Sequence, residues 1–332
     1  MSRTLPDRVA PAGVPAAGAP ADLLAAAFGA APHEPVRMGR SGSPRDRWLA
    51  AVVLGGQGRY AAAATLLEGL LADGSVPAGT AAHAAVTLAS HRRQLGGHAV
   101  ARGTDALGLR LAIDALRGPR PVPEPDQFGT DPLAARIDAL VGLAADAVGT
   151  AAPGVALRLL DTAGSIAADH PSWRTGVRIG WVRAELALLR GRPEEAVEPA
   201  AAALALATGA GAVRHRVKSS IIHTVAAAAA DALDPVAALA ALDEDTAACV
   251  RSGLLPLLWP CHFATADLVD RLDGADGGTT NERVTRTAQP SVGDTPTDAA
   301  RRRHAAAATL SVIYQLVDPR GRSLMGDSLW RT

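Results

Sequence analysis

Two stretches far apart in the chain read as copies of one helical hairpin, and this repetition constrains the fold more than any other feature. Trp48 to Leu71 reads WLAAVVLGGQGRYAAAATLLEGLL, and Trp181 to Leu206 reads WVRAELALLRGRPEEAVEPAAAALAL. With Trp48 set on Trp181, Gly58 falls on Gly191, Arg59 on Arg192 and Ala63 on Ala196 without a gap. Trp48, Ala51 and Val52 supply an apolar stripe at helical intervals. Gly58 and Gly191 end the first helix of each copy, because glycine enters the left-handed conformation cheaply at a helix C-terminus. Pro193 follows where a missing amide costs nothing at the start of the next helix. Ala63 and Ala196 then let two helix axes approach to about 8–10 Å. Leu66, Leu67, Leu70 and Leu71 form the buried face of the first copy. Alanine dominates the second, with Leu204 and Leu206.

The pattern resembles the tetratricopeptide repeat, a helix–turn–helix unit of about 34 residues. That family's aromatic, small, glycine, aromatic, small order is matched by Trp48, Ala51, Gly58, Tyr60 and Ala63. In the later copy it is matched by Trp181, Ala184, Gly191, Pro193 and Ala196, where Pro193 replaces an aromatic. The proline that closes each repeat is mostly missing. The resemblance implies an all-α fold, an α–α superhelix of antiparallel helix pairs with a concave face for a partner. Any antiparallel helical pair in an alanine-rich chain shares part of this pattern.

Composition agrees with helices. Hydrophobic residues make up 48% of the 332, yet only 3% are aromatic, so alanine, leucine and valine dominate. Basic and acidic residues balance at 33 each, which argues against a bulk electrostatic partner such as duplex DNA or an anionic membrane. Lys218 is the single lysine. This bias toward arginine and alanine suggests a GC-rich genome of the actinobacterial kind. Cys249 and Cys261 make no disulfide framework, and the N-terminal apolar residues are broken by Pro6, Pro11, Pro15 and Pro20, unlike a signal peptide. Without an apolar run near the ~20 residues of a membrane span, a cytoplasmic protein is expected.

Along the chain, residues 1–42 are expected to be a mostly disordered leader with a short helix at Asp22–Phe28. Residues 43–272 are expected to form the helical repeat domain, opened by Ser43-Pro44-Arg45-Asp46 as cap and first turn. Pro119, Pro121, Pro123 and Pro125 mark an irregular connector between helical stretches. Residues 273–294 read as a flexible linker. Residues 295–332 are expected to hold a last helix, started by Thr295-Pro296-Thr297-Asp298 and stopped at Asp318-Pro319, then a tail. About a dozen helices and no strand result.

Arg214, Arg216 and Lys218 form the foremost candidate site, a patch for an acidic peptide or other anion on the concave face. A solvated helix face, or pairing with Glu194 and Glu195, is the plainer alternative. Arg301, Arg302, Arg303 and His304 form a second basic run that could touch nucleic acid or be solvated. Arg93 and His98 have the Arg-x4-His spacing of some helical ribonucleases, although Gly96-Gly97 between them reads as a hairpin turn. Trp173, Trp181 and Trp259 could line a small-molecule pocket or fill the core. Adjacent Cys261 and His262 point about 100° apart on a helix and do not make a metal site by themselves. No GxxxxGK[ST], GxSxG, HExxH or DxDxDG motif occurs. The expectation is a non-enzymatic, cofactor-free and metal-free interaction scaffold, possible roles lying in transcription or signalling, with a protein or peptide partner. An RNA-binding or RNA-cleaving protein and a small-molecule sensor are the competing readings.

Overall fold

The computed structural model describes residues 22–36, 42–119, 121–276 and 297–328, and within them the chain is all helical, with fourteen α-helices and no strand. The first is α1 (Leu23–Phe28), followed by the pair α2 (Pro44–Gly56) and α3 (Tyr60–Ala72). Next come α4 (Ala78–Gln94) with α5 (His98–Arg117), and α6 (Pro132–Gly149) with α7 (Pro153–Ala167). The pair α8 (Trp173–Leu189) and α9 (Glu194–Gly209) precedes α10 (Val213–Ala229) and α11 (Pro235–Arg251). The chain closes with α12 (Leu255–Asp276), α13 (Asp298–Gln315) and α14 (Pro319–Ser328). No described helix is long and apolar enough to cross a membrane.

Local chemistry places these boundaries. Ser43 Oγ accepts from the Asp46 amide, and Asp131 and Asp234 cap α6 and α11 in the same manner ahead of a proline. Gly58 and Gly191 take φ of +80° and +68°, which turns each hairpin where a side chain would be strained. The cap of α13 is Thr297, whose hydroxyl accepts from the Ala300 amide, and not Thr295. The Pro-rich connector holds no helix but is pinned by Asp126, which accepts from Phe128 N and Thr130 N.

Consecutive helices pack as pairs, and α2, α4, α6, α8, α10 and α12 also touch one another in series. These even-numbered helices therefore form an inner layer. Ala63 and Ala196 are both fully buried between the helices of their hairpins. Within the later hairpin, a Cβ on Gly180 would come 2.6 Å from the Pro199 carbonyl oxygen of α9. Replacing either Ala63 or Ala196 with tryptophan is expected to lower stability by about 1–3 kcal/mol or more through overpacking. Chemical denaturation of the two variants checks this, and an unchanged midpoint for either would contradict the shared register.

The two ends of the chain stand differently against expectation. The short helix expected at Asp22–Phe28 is present as α1, and the described chain continues from it to residue 36, while residues 1–21 lie outside the described residues. Asp22 caps α1, and Phe28 is buried against Trp48 with ring centroids 6.0 Å apart. A six-residue helix is unstable alone, and this one is held by burial. The segment expected to be a tail after Asp318-Pro319 instead forms α14. Met325 and Val317 bury themselves with Leu95 and Tyr60 of the first two hairpins, and Arg92 Nη2 donates to Asp318 at 2.8 Å. The expected linker at 273–294 lies largely outside the described residues, apart from the last turn of α12.

Candidate functional site

The inner layer encloses a cavity of about 400 Å³, within the usual size range of small-molecule sites. Every helix of that layer contributes to its wall, together with Phe28 and the first residues of α3 and α5, Tyr60 and His98. The chain has five tryptophans, two tyrosines and three phenylalanines, and Phe28, Trp48, Tyr60, Trp181 and Trp259 line this cavity. Half of a sparse set of aromatics thus converges on one space; Phe28, Trp48 and Tyr60 also belong to the core, and Trp181 and Trp259 are only part-buried.

The two tryptophans that opened the sequence comparison occupy matching positions. Trp48 Nε1 donates to Thr87 Oγ1 on α4 at 2.9 Å, and Trp181 Nε1 donates to Ser219 Oγ on α10 at 2.8 Å. Each ring stacks on a histidine one turn before that hydroxyl, His83 at 4.4 Å and His215 at 5.6 Å. Each tryptophan therefore reaches the next inner helix through the same histidine and hydroxyl pair.

Helical spacing brings the cations together. Arg174 and Arg178 lie one turn apart on α8, and Arg214 and Lys218 one turn apart on α10, so both pairs face inward. Asp138 of α6 serves both α8 arginines, at 2.7 Å from Arg174 Nη1 and 3.2 Å from Arg178 Nε. Arg174 also donates to the Phe128 and Gly129 carbonyls and covers the Phe28 ring at 4.9 Å. Arg93 is held by Asp105 and by Asp146, the latter at 2.7 Å from Nε. Arg214 has no carboxylate within ion-pairing distance among the described residues, and Lys218 meets the face of Trp181 at 4.3 Å instead.

The neutral groups are equally consequential. His91 and His215 line the cavity at 4% and 5% exposure, and Nδ1 of each lacks a hydrogen-bond partner among the described residues. Burial, reinforced by Arg214, pushes His91 down to about 3. The same causes lower His215 well below the usual range, so both rings are neutral near pH 7. Burial and neighbouring cations also depress Arg214, while burial depresses Lys218 against the pull of Glu185. Such groups can orient a ligand by charge and hydrogen bonds. No cluster of three or more metal-ligating side chains occurs among the described residues.

The structure divides the first candidate patch. Arg214 and Lys218 meet in the cavity, whereas Arg216 is exposed and outside its lining. Two residues along a helix is a rotation of about 200°, so the three cannot form one surface. Arg93 and His98 both reach the cavity, but Arg93 is committed to its two aspartates and to the Gly142 carbonyl at 3.1 Å. The run at 301–303 is spent on ion pairs: Arg301 with Asp298, Arg302 with Asp298 and Asp243, and Arg303 with Asp267 and Asp270. Trp181 and Trp259 line the cavity, and Trp173 packs edge-on against His215 at 5.0 Å. Cys249 and Cys261 are buried free thiols.

Sequence reading passed over Gly55-Gly56 inside α2. A Cβ on Gly55 would fall 2.0 Å from His91 Nε2, and one on Gly56 would fall 3.1 Å from Arg214 Cδ. Both lie in the last turn of α2 and keep helical geometry there, where glycine lets other side chains approach closely. No known protein family and no curated protein matches this chain.

Proposed function

We propose that this is a tetratricopeptide-like helical repeat protein that acts by binding, and that its ligand is a small molecule held in the cavity of the inner layer. The observation that carries this reading is Arg214, an inward cation without a carboxylate partner among the described residues, set in a space where the chain's scarce aromatics converge. Repeat register supports the fold assignment, since Trp48 and Trp181 share the same contacts one hairpin unit on. A regulatory scaffold remains the natural setting, with the ligand as its input and the outer helices available to another protein. Docking of a partner helix on the inner face fits less well, because α1 already packs against α2 and α10 there.

A thermal-shift screen of small organic acids, bases and neutral compounds tests the proposal. Ser90 lines the cavity and is only partly buried, so Ser90→Trp should fill the space while leaving the helices in place. Wild type is expected to be stabilised by some compounds, by about 2.7 kcal/mol at a hundredfold excess over Kd. Ser90→Trp is expected to keep a similar melting temperature and lose that response. Compounds that stabilise both proteins alike would contradict a site in the cavity.

A further inference from the structure

The cavity wall has a lopsided charge distribution that narrows the chemistry of what it can hold. Five cations line it, Arg93, Arg174, Arg178, Arg214 and Lys218, against two carboxylates, Asp138 and Glu185. Arg93 is satisfied from behind by Asp105 and Asp146. Asp138 must be divided between Arg174 and Arg178. What remains is Arg214, Lys218 and the single carboxylate of Glu185, which draws on Lys218 without reaching ion-pair distance. Positive charge is therefore in excess at the α10 end of the cavity. The Arg214 and Lys218 side chains are both part-buried, and drawing a charge out of water without a partner is unfavourable, which a ligand anion would offset.

The Arg214 stem lies against Gly56, where a Cβ would come 3.1 Å from Cδ and 3.2 Å from Nε. The guanidinium is thereby held inside by α2 as well as by its own helix. Guanidinium groups pair with carboxylates and phosphates through two parallel hydrogen bonds. His91 and His215, both kept neutral by burial, also line the same wall. Flat rings lie beside them, Trp181 next to Lys218 and His215 and Tyr60 next to His91, and Trp259 lines the same space.

We propose that the cavity binds an organic oxyanion, a carboxylate or phosphate carried on a flat aromatic body, with its head at Arg214 and Lys218 and its ring against the tryptophans. This rests on the reading of the cavity as a ligand site and specifies its occupant. The lowered proton affinities of Arg214 and Lys218 agree with it, because each reflects burial beside other cations and each would be relieved by an anion.

The test is calorimetric titration of the full chain with indole-3-acetate, phenyl phosphate and the neutral indole-3-acetamide. Wild type, Arg214→Gln and Lys218→Met are compared at one fixed, moderate salt concentration, each first checked for its melting temperature. At least one of the two anions is expected to bind wild type at least tenfold more tightly than the amide. Either cation variant that remains folded is expected to lose tenfold or more for that anion while its affinity for the amide is unchanged. Preference for indole-3-acetate identifies a carboxylate head, and preference for phenyl phosphate a phosphate head. Equal binding of the amide, abolished by Ser90→Trp, would overturn the anion proposal and leave the ligand site standing. Wild-type affinity in both cation variants would likewise overturn it. Failure of all three probes at millimolar concentration would overturn it too, and a negative small-molecule screen would then remove the site itself.

Discussion

Replacing Arg93 with methionine is expected to cost the fold about 3–5 kcal/mol, the usual penalty for removing one partner of a buried charge cluster. Asp105 and Asp146 are 0% and 1% exposed, and both depend on this guanidinium. Burial already raises Asp105 well above the usual carboxylate range, against the opposing pull of Arg93. Without Arg93 the Asp105 carboxyl would be pushed further up. A carboxylate whose folded pKa is raised contributes stability at low pH and loses it as pH rises through that value. The deficit of Arg93→Met should therefore be smaller at pH 5 than at pH 8. Urea melts at the two pH values check this, together with a cycle through Asp146→Asn, which should recover part of the loss. A deficit below about 1 kcal/mol at pH 8 would mean that the cluster is not held as described.

Acid should unfold the protein early, through histidines that the fold keeps neutral. Burial lowers His83 to about 4 and His91 to about 3, and takes His215 well below its usual range. The unfolded chain binds these protons near pH 6.5 and the folded chain does not, so stability falls as pH drops below that value. Each histidine contributes about 1.4 kcal/mol per pH unit down to its folded pKa. Burial also lowers His98 and His262. Asp105 and Asp245, the latter raised by burial to about 6, act in the opposite sense, because the folded state holds their protons. The net expected slope is about 1–4 kcal/mol per pH unit between pH 6.5 and 4. His91→Phe keeps a flat ring beside Tyr60 and removes one titrating group, so its slope should be shallower by about 1.4 kcal/mol per pH unit. Equal slopes for the variant and wild type would show His91 to be protonated in the fold.

Features that depend on neighbouring residues were legible in the sequence, and those that depend on distant ones were not. Gly58 and Gly191 mark their turns because backbone chirality penalises other residues there. Asp131-Pro132 and Asp234-Pro235 mark helix starts because cap and fixed φ act over three residues. The helix α14 was hidden because a segment with Gly321 and few apolar residues has little helical preference of its own. Its order comes from burying Met325 beneath the first hairpins. The short helix α1 was legible through its Asp22 cap, but its docking, Phe28 against Trp48 and His215, was not.

The candidate site shows the same division. Arg214 and Lys218 belong to the foremost candidate patch, and the structure places both in the cavity. Arg216 was grouped with them by proximity in sequence, which helical geometry overrules. Arg174 and Arg178 lie one turn apart on α8, yet their role appears only once Asp138 is seen between them. The tryptophans could equally have been core, and what distinguishes them is a shared space assembled from six helices of the inner layer.

The account stands on two distant hairpins being copies of one unit whose inner faces enclose a ligand site. Native mass spectrometry of wild type and Ser90→Trp, each purified gently from the cells that make the protein, examines that most directly. Wild type should carry one small organic molecule per chain, and Ser90→Trp, folded and otherwise alike, should carry none. The same molecule retained on Ser90→Trp, or wild type free of any small molecule and bound instead to another protein, would contradict it.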